Sequence, residues 1–325
     1  MQLLCLGADD LVHALPMREA LDTARQAYVA LAREKACVPP RCVLPAPAPD
    51  GTILVMGGSV PGVGLTAKVV VIKPSNQSEG LPGTAGLVVV QDLDSGIPVA
   101  VCDGEFLTAW RTGAATGCAT AALARQDAHD ALVVGTGSQA AAQVQGLDAA
   151  RSWETIRIWG RNGDRSAELV DRLKGSTQAR LAVATDLEGA VRDADAIAMA
   201  TAATEPVVHG AWLEPGTHVN GIGSFRLDMR ELDDEGVGRS SVFVDTVEGA
   251  LHEAGELVHA ETAGHTDRNS WTEIGRVLDG EHEGRRSPDE ITFFKSVGNA
   301  AQDVCAAAAA VERAKSLGLG QMIEF

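Results

Sequence analysis

Apolar residues recur at two different spacings along the 325-residue chain. Behind Pro16, the residues Met17, Ala20, Leu21, Ala24, Ala27, Tyr28 and Leu31 fall at helical intervals, which predicts an amphipathic helix over 16–35. A Pro-rich piece, VPPRCVLPAPAPDG, follows. The runs TILVMGG and GLTAKVVVIKP then read as short strands, and GLVVVQDLDSGIPVAVCDG as a hairpin turning at Asp94-Ser95-Gly96. The first third is therefore expected to be α+β, with neighbouring strands paired.

The pattern changes after the Ala-rich helical stretch EFLTAWRTGAATGCATAALA. Short apolar runs, ALVVG, TIRIW, RLAVAT, AIAMAT, THVNGI and SVFVDT, then alternate with helical or loop stretches. Buried strands separated by helices predict a parallel, doubly wound sheet of the Rossmann type, so the fold class is α/β. GNAAQDVCAAAAAVERAKSLGLG reads as one long Ala-rich helix ended by glycines, placed to return to the first unit.

Composition narrows the functional classes. A net charge of −17 leaves no basic stretch for nucleic-acid binding. No run approaches the ~18 apolar residues of a membrane span, and the N-terminus lacks a basic, apolar leader, so a cytoplasmic protein is expected. The six cysteines show neither C-x-x-C nor Cys/His spacing; reduced structural thiols and no metal are expected.

Two features carry chemistry. HDALVVGTGSQAAAQ runs from strand through Gly135-Thr136-Gly137-Ser138-Gln139-Ala140 into helix. Gly135 suits the tight turn, Gly137 lets backbone approach a pyrophosphate, and Ala140 permits close helix–strand packing, with Ser138 and Gln139 at the helix N-terminus facing the anion. About twenty residues on, where an NAD site usually has an acid, the chain reads Gly160-Arg161-Asn162. A missing carboxylate and an added guanidinium predict NADPH ahead of NADH, with Arg161 and Asn162 at the ribose. Thr201 and Ala202, closing AIAMATA, lie where cofactors dock at strand ends; Asp245 closes SVFVDT and reads as a cap for the next helix.

The second feature is three cations in apolar surroundings: Arg41, Lys68 and Arg111. A strand lysine flanked by valines needs a partner on a buried face. Taken with VVGTGSQA, VNGIGSFRLDMREL, VFVDTVEGALHEAGEL and FKSVGNAAQD, the motifs around them resemble the ornithine cyclodeaminase/μ-crystallin family over nearly the whole chain. The resemblance implies an NAD(P)-dependent homodimer whose substrate and dimerisation domain covers 1–115 and 300–325, with the dinucleotide domain at 116–299. It also implies that Arg41 and Arg111 hold a substrate carboxylate. Lys68 is expected to orient the substrate or relay a proton, and Arg111 and Thr112 to reach the cofactor as well.

Members of that family that cyclise ornithine are similar in having an aspartate just after a Gly-rich turn. The corresponding turn here is Gly221-Ile222-Gly223-Ser224-Phe225, and the matching residue is Phe225, which accepts no proton. Reduction of an α-imino acid is the expected chemistry, with Phe225 walling a small ring such as 1-pyrroline-2-carboxylate or 1-piperideine-2-carboxylate. The alternatives are an open-chain imino acid, as in alanine dehydrogenase or iminosuccinate reductase, then cyclodeamination, then a non-catalytic NADPH-binding protein. Asp228, Glu231, Asp233 and Asp234 read as loop and helix-start residues, and Arg226 as solvated.

Overall fold

The computed structural model describes residues 2–45 and 51–324. In chain order the elements begin with β1 (Gln2–Leu6), α1 (Ala8–Ala14), α2 (Met17–Ala32), β2 (Cys42–Pro45), β3 (Thr52–Val60), β4 (Gly64–Ile72), β5 (Thr84–Gln91), β6 (Pro98–Asp103) and α3 (Gly104–Leu123). Next come β7 (Asp130–Val134), α4 (Ala140–Ala150), β8 (Thr155–Trp159), α5 (Gly163–Arg172), β9 (Arg180–Val183), α6 (Leu187–Arg192), β10 (Ala196–Met199) and β11 (His218–Gly221). The remainder is α7 (Asp234–Gly238), β12 (Ser240–Val244), α8 (Val247–Glu253), α9 (Gly255–Thr262), β13 (Thr272–Glu273), α10 (Ile274–Leu278), β14 (Ile291–Lys295), α11 (Ala300–Leu317) and β15 (Gln321–Glu324). Two compact units result, Met1–Arg111 with Asn299–Phe325, and Thr112–Gly298; the division falls inside α3.

The first unit is built on a seven-stranded sheet ordered β15-β1-β6-β5-β4-β3-β2, antiparallel except for β1 beside β6. Alternation in β3 and β4 follows from the two-residue repeat of strands: Leu54, Met56, Thr66, Lys68 and Val70 are buried on one face. That face is covered by α11, which packs close because the contact residues are small. A Cβ on Gly58 would lie 2.7 Å from that of Ala300, and one on Gly64 3.1 Å from Ala308. Ala27, Ala30, Val60, Ala301, Val304 and Cys305 fill the seam between α2, α11 and the sheet. The 91–98 turn forms as expected, with Asp92 Oδ1 accepting the Ser95 N–H and Gly96 at φ 69°.

The second unit holds an eight-stranded sheet ordered β13-β12-β14-β11-β10-β7-β8-β9, parallel throughout. Alternate residues of its central strands feed two cores. Leu132, Val134, Ile197, Met199, Val219 and Phe293 face one; Ala131, Val133, Ile156, Ile158, Ala196 and Ala198 face the other. This is the doubly wound arrangement, and it includes β14, an apolar run the sequence reading passed over. The strands β1 and β15, at one side of the first sheet, were also unanticipated. Among the described residues no helix is long and apolar enough to cross a membrane.

Candidate active site

In the first unit two of the three predicted cations, Lys68 and Arg111, meet a carboxylate that sequence reasoning missed. Lys68 points from β4 into the face covered by α11, and its Nζ forms an ion pair with Asp303 Oδ2 at 2.6 Å. Arg111, from α3, donates its Nε–H to Asp303 Oδ1 at 3.2 Å and Nη1 to Gln302 Oε1 at 3.1 Å. Gln302 in turn donates to the Tyr28 hydroxyl at 2.6 Å. Lys68, Arg111 and Asp303 are respectively 2, 6 and 1 % exposed, so solvent screens this cluster little.

The charges act on one another. Burial lowers the Lys68 pKa to about 8, assisted by Arg111 and Arg41 and opposed by Asp303. Burial alone would raise the Asp303 carboxyl, but Lys68 and Arg111 outweigh it and hold the group below its usual range. Arg41 precedes β2, is half-buried, and lies near enough for its charge to reach Lys68. Asp303 left one trace in the sequence: an acid inside the alanine run of α11, directly after the Asn299–Gln302 capping box.

In the second unit the Gly135–Ala140 segment links β7 to α4 as expected. Gly135 has φ 127°, and a Cβ there would lie 2.4 Å from the Ala200 carbonyl, so only glycine fits. A Cβ on Gly137 would meet nothing within 4 Å, and Gly137 and Ser138 are exposed at the start of α4. Gln139 is the N-cap residue and Ala140 is fully buried. An open glycine before the N-terminus of an eleven-residue helix fits a dinucleotide phosphate.

Beyond β8, a Cβ on Gly160 would stand 2.7 Å from the Thr136 methyl. The Gly135–Ala140 turn thus leans on the place where an acid would otherwise project. Arg161 is exposed there, whereas Asn162 Oδ1 accepts from the N–H groups of Asp164 and Arg165 as the cap of α5. Thr112 is buried in α3 and Ala202 is exposed.

The loops at the carboxyl ends of β10, β11, β12 and β14 are tied together by buried acids. Glu231 accepts four hydrogen bonds: from the N–H and hydroxyl of Thr201, and from the N–H groups of Gly223 and Ser224. It is wholly buried, which corrects its reading as an ordinary loop acid. Burial raises its pKa despite Lys295. Lys295 Nζ bonds the Ser224 carbonyl at 2.7 Å and pairs with Glu256 at 3.2 Å. Asp245 is not a cap either: its Oδ2 accepts from Ser296, Val297 and Gly298, while Thr246 caps α8.

Phe225 leaves this pinned turn half-buried, with the Arg226 guanidinium 5.9 Å over its ring. Arg226 makes two 2.9 Å bonds to Asp228 at an exposed position.

Comparison with known proteins gives the chain a family. The model of the ornithine cyclodeaminase/mu-crystallin family matches residues 4–318. A Delta(1)-pyrroline-2-carboxylate reductase of Bacillus cereus is 34% identical over 326 residues, 99% of this chain and 100% of that protein. The Thermococcus litoralis Delta(1)-pyrroline-2-carboxylate reductase, solved with NADH and L-proline, is similar with a TM-score of 0.94 and 34% identity, covering 98% of this chain and 99% of that one. An archaeal alanine dehydrogenase dimer with bound NAD has a TM-score of 0.91 at 31% identity, with both chains fully covered.

Proposed function

The chain belongs to the ornithine cyclodeaminase/mu-crystallin family, and from that premise we propose that it is an NAD(P)H-dependent reductase of α-imino acids. Its favoured substrate is a cyclic ketimine, 1-pyrroline-2-carboxylate or 1-piperideine-2-carboxylate, reduced to the L-amino acid. The observation that carries this reading is the buried cluster in which two cations, Lys68 and Arg111, share one anion, Asp303. Among the described residues Lys68 and Arg111 exceed Asp303 by one positive charge, which a monocarboxylate balances. The pyrroline-2-carboxylate reductases among its relatives support the choice of ring.

The first unit, with Arg41, Lys68 and Arg111, holds the substrate; the second holds the dinucleotide through Gly135, Gly137, Ser138, Gln139 and Ala140. A bound nicotinamide supplies the hydride. Arg111 retains donors on Nη1 and Nη2 beyond those given to Asp303 and Gln302, and a guanidinium edge matches a carboxylate bidentately. Lys68 Nζ, with a pKa of about 8, can pass a proton near neutral pH, and a protonated imine nitrogen makes the adjacent carbon more electrophilic. Phe225 stands where ornithine-cyclising members of the family carry an aspartate, and it offers no base.

Arg161 beside the small Gly160 favours NADPH, with NADH as the second cofactor. A homodimer in the cytoplasm completes the reading. On the face of the first sheet opposite α11, Val69 and Leu87 lie directly across from each other and are 48 and 56 % exposed, and Leu44 lies on the same face. An apolar row of this kind suits a partner subunit.

Open-chain imino acids are the second reading, favoured by the likeness to alanine dehydrogenase. A dicarboxylate such as iminosuccinate fits less well, because Arg226 is already occupied by Asp228. The test is one panel: purified protein, each cofactor, and cyclic and acyclic imines, followed by cofactor absorbance, with ornithine plus NAD as control. Reduction of a cyclic ketimine is expected; ammonia release from ornithine overturns the reading.

A further inference from the structure

We propose that Asp303 is a positioning residue of this site, holding the Lys68 ammonium and the Nε side of Arg111 so that the remaining guanidinium donors are presented to a substrate carboxylate. The role rests on the reductase reading and deepens it. Asp303 lies in the first turn of α11, where the helix dipole favours a carboxylate. Its two oxygens serve different partners, Oδ1 taking Arg111 Nε and Oδ2 facing Lys68. The preceding residue, Gln302, takes a second nitrogen of the same guanidinium and is itself fixed by Tyr28 and by the Asn299 N–H. Adjacent residues of one helix thus determine the plane of the arginine.

Charge explains why a purely structural role is insufficient. A buried ion pair seldom stabilises more than the apolar residues that could replace it. Here two buried cations surround one acid, and Arg41 adds its charge to Lys68 from the segment before β2. Among the described residues Lys68 and Arg111 share this one acid, which leaves one positive charge for a further anion. Asp303 keeps the two cations from repelling each other apart, and without it the guanidinium loses the orientation in which its free edge meets a carboxylate. Its anion also raises the proton affinity of Lys68, against the lowering effect of burial, Arg111 and Arg41.

The test is Asp303→Asn, which keeps the shape and removes the charge. The expected result has three parts: KM for 1-pyrroline-2-carboxylate rises ten-fold or more, NADPH affinity stays within about two-fold, and the basic limb of kcat/KM moves to lower pH by about one unit or more. Ionisation of the imine itself affects both proteins equally, so the displacement between them reports Lys68. An unchanged KM and an unmoved limb overturn the role. Should the single variant fail to fold, Lys68→Met/Asp303→Asn is compared with Lys68→Met. A further ten-fold rise in KM, from loss of the hold on Arg111, is expected, and equality overturns the proposal. A wild-type protein that oxidises neither cofactor with any imine overturns the reductase reading and this role with it. An active wild type with an indifferent Asp303 overturns only the role.

Discussion

Glu231 and Thr201 are joined twice through a single oxygen: Oε1 accepts the Thr201 N–H at 2.7 Å and its hydroxyl at 2.9 Å. The other oxygen accepts the Gly223 N–H at 2.7 Å. One side chain therefore sets the distance between the loop after β10 and the turn that ends in Phe225. Replacing Glu231 with Ala takes the acceptor from three backbone donors, that of Ser224 buried and those of Thr201 and Gly223 part-buried. A stranded buried donor costs about 1–3 kcal/mol, and a loss of at least that size is expected, read as a lower urea midpoint. An unaltered midpoint shows that water replaces the carboxylate.

Arg111→Ala is expected to raise KM for the imino acid by on the order of 30-fold or more, because removing one partner of a desolvated charge contact costs roughly 2–5 kcal/mol. The matching measurement is the circular dichroism spectrum, which should stay that of the wild type. An unchanged KM in a folded variant rejects the clamp.

For cofactor choice, Arg161→Ala should lower kcat/KM with NADPH about ten-fold or more and leave the value with NADH nearly constant, as loss of one charge-assisted phosphate contact implies. Equal efficiency of the wild type with both cofactors contradicts the role given to Arg161.

Lys68 makes stability depend on pH in a definite direction. Its proton leaves the folded protein at about pH 8 but the unfolded chain at 10.5. Between those values the unfolded state binds more protons, so this group's contribution rises with pH, by roughly 3 kcal/mol in total. Below pH 8 both states are charged and the burial penalty is fully present. Urea titrations of Lys68→Met across the same window should lack that rise, and parallel curves for variant and wild type would refute it.

These residues also show which parts of the molecule could be read in advance. The Rossmann sheet was legible because Leu132, Val134, Ile197 and Met199 belong to unbroken apolar runs punctuated by glycine, a local signal. Lys68 and Arg111 stood out because a cation among valines and alanines is costly unless something answers it. What answers it was not legible. Asp303 lies 192 residues beyond Arg111, and nothing local distinguishes an acid that faces a cation from one that faces water. Glu231 was misread for the same reason, since its partners at 201 and 223 come from two different loops. Asn162 sat at the expected place, yet its oxygen caps α5, a competing use that helix-start chemistry explains afterwards.

The discontinuity of the first unit has a consequence for synthesis. On a ribosome, Lys68 emerges long before Asp303, and at about 5–20 residues per second the interval is on the order of tens of seconds. During that time the whole Thr112–Gly298 unit can form its sheet. The first sheet, by contrast, carries an ammonium group whose counter-ion does not yet exist, on a face that α11 has still to cover. The Thr112–Gly298 unit can thus form before the first unit is closed, so a copy terminated ahead of α11 would keep the former without the latter.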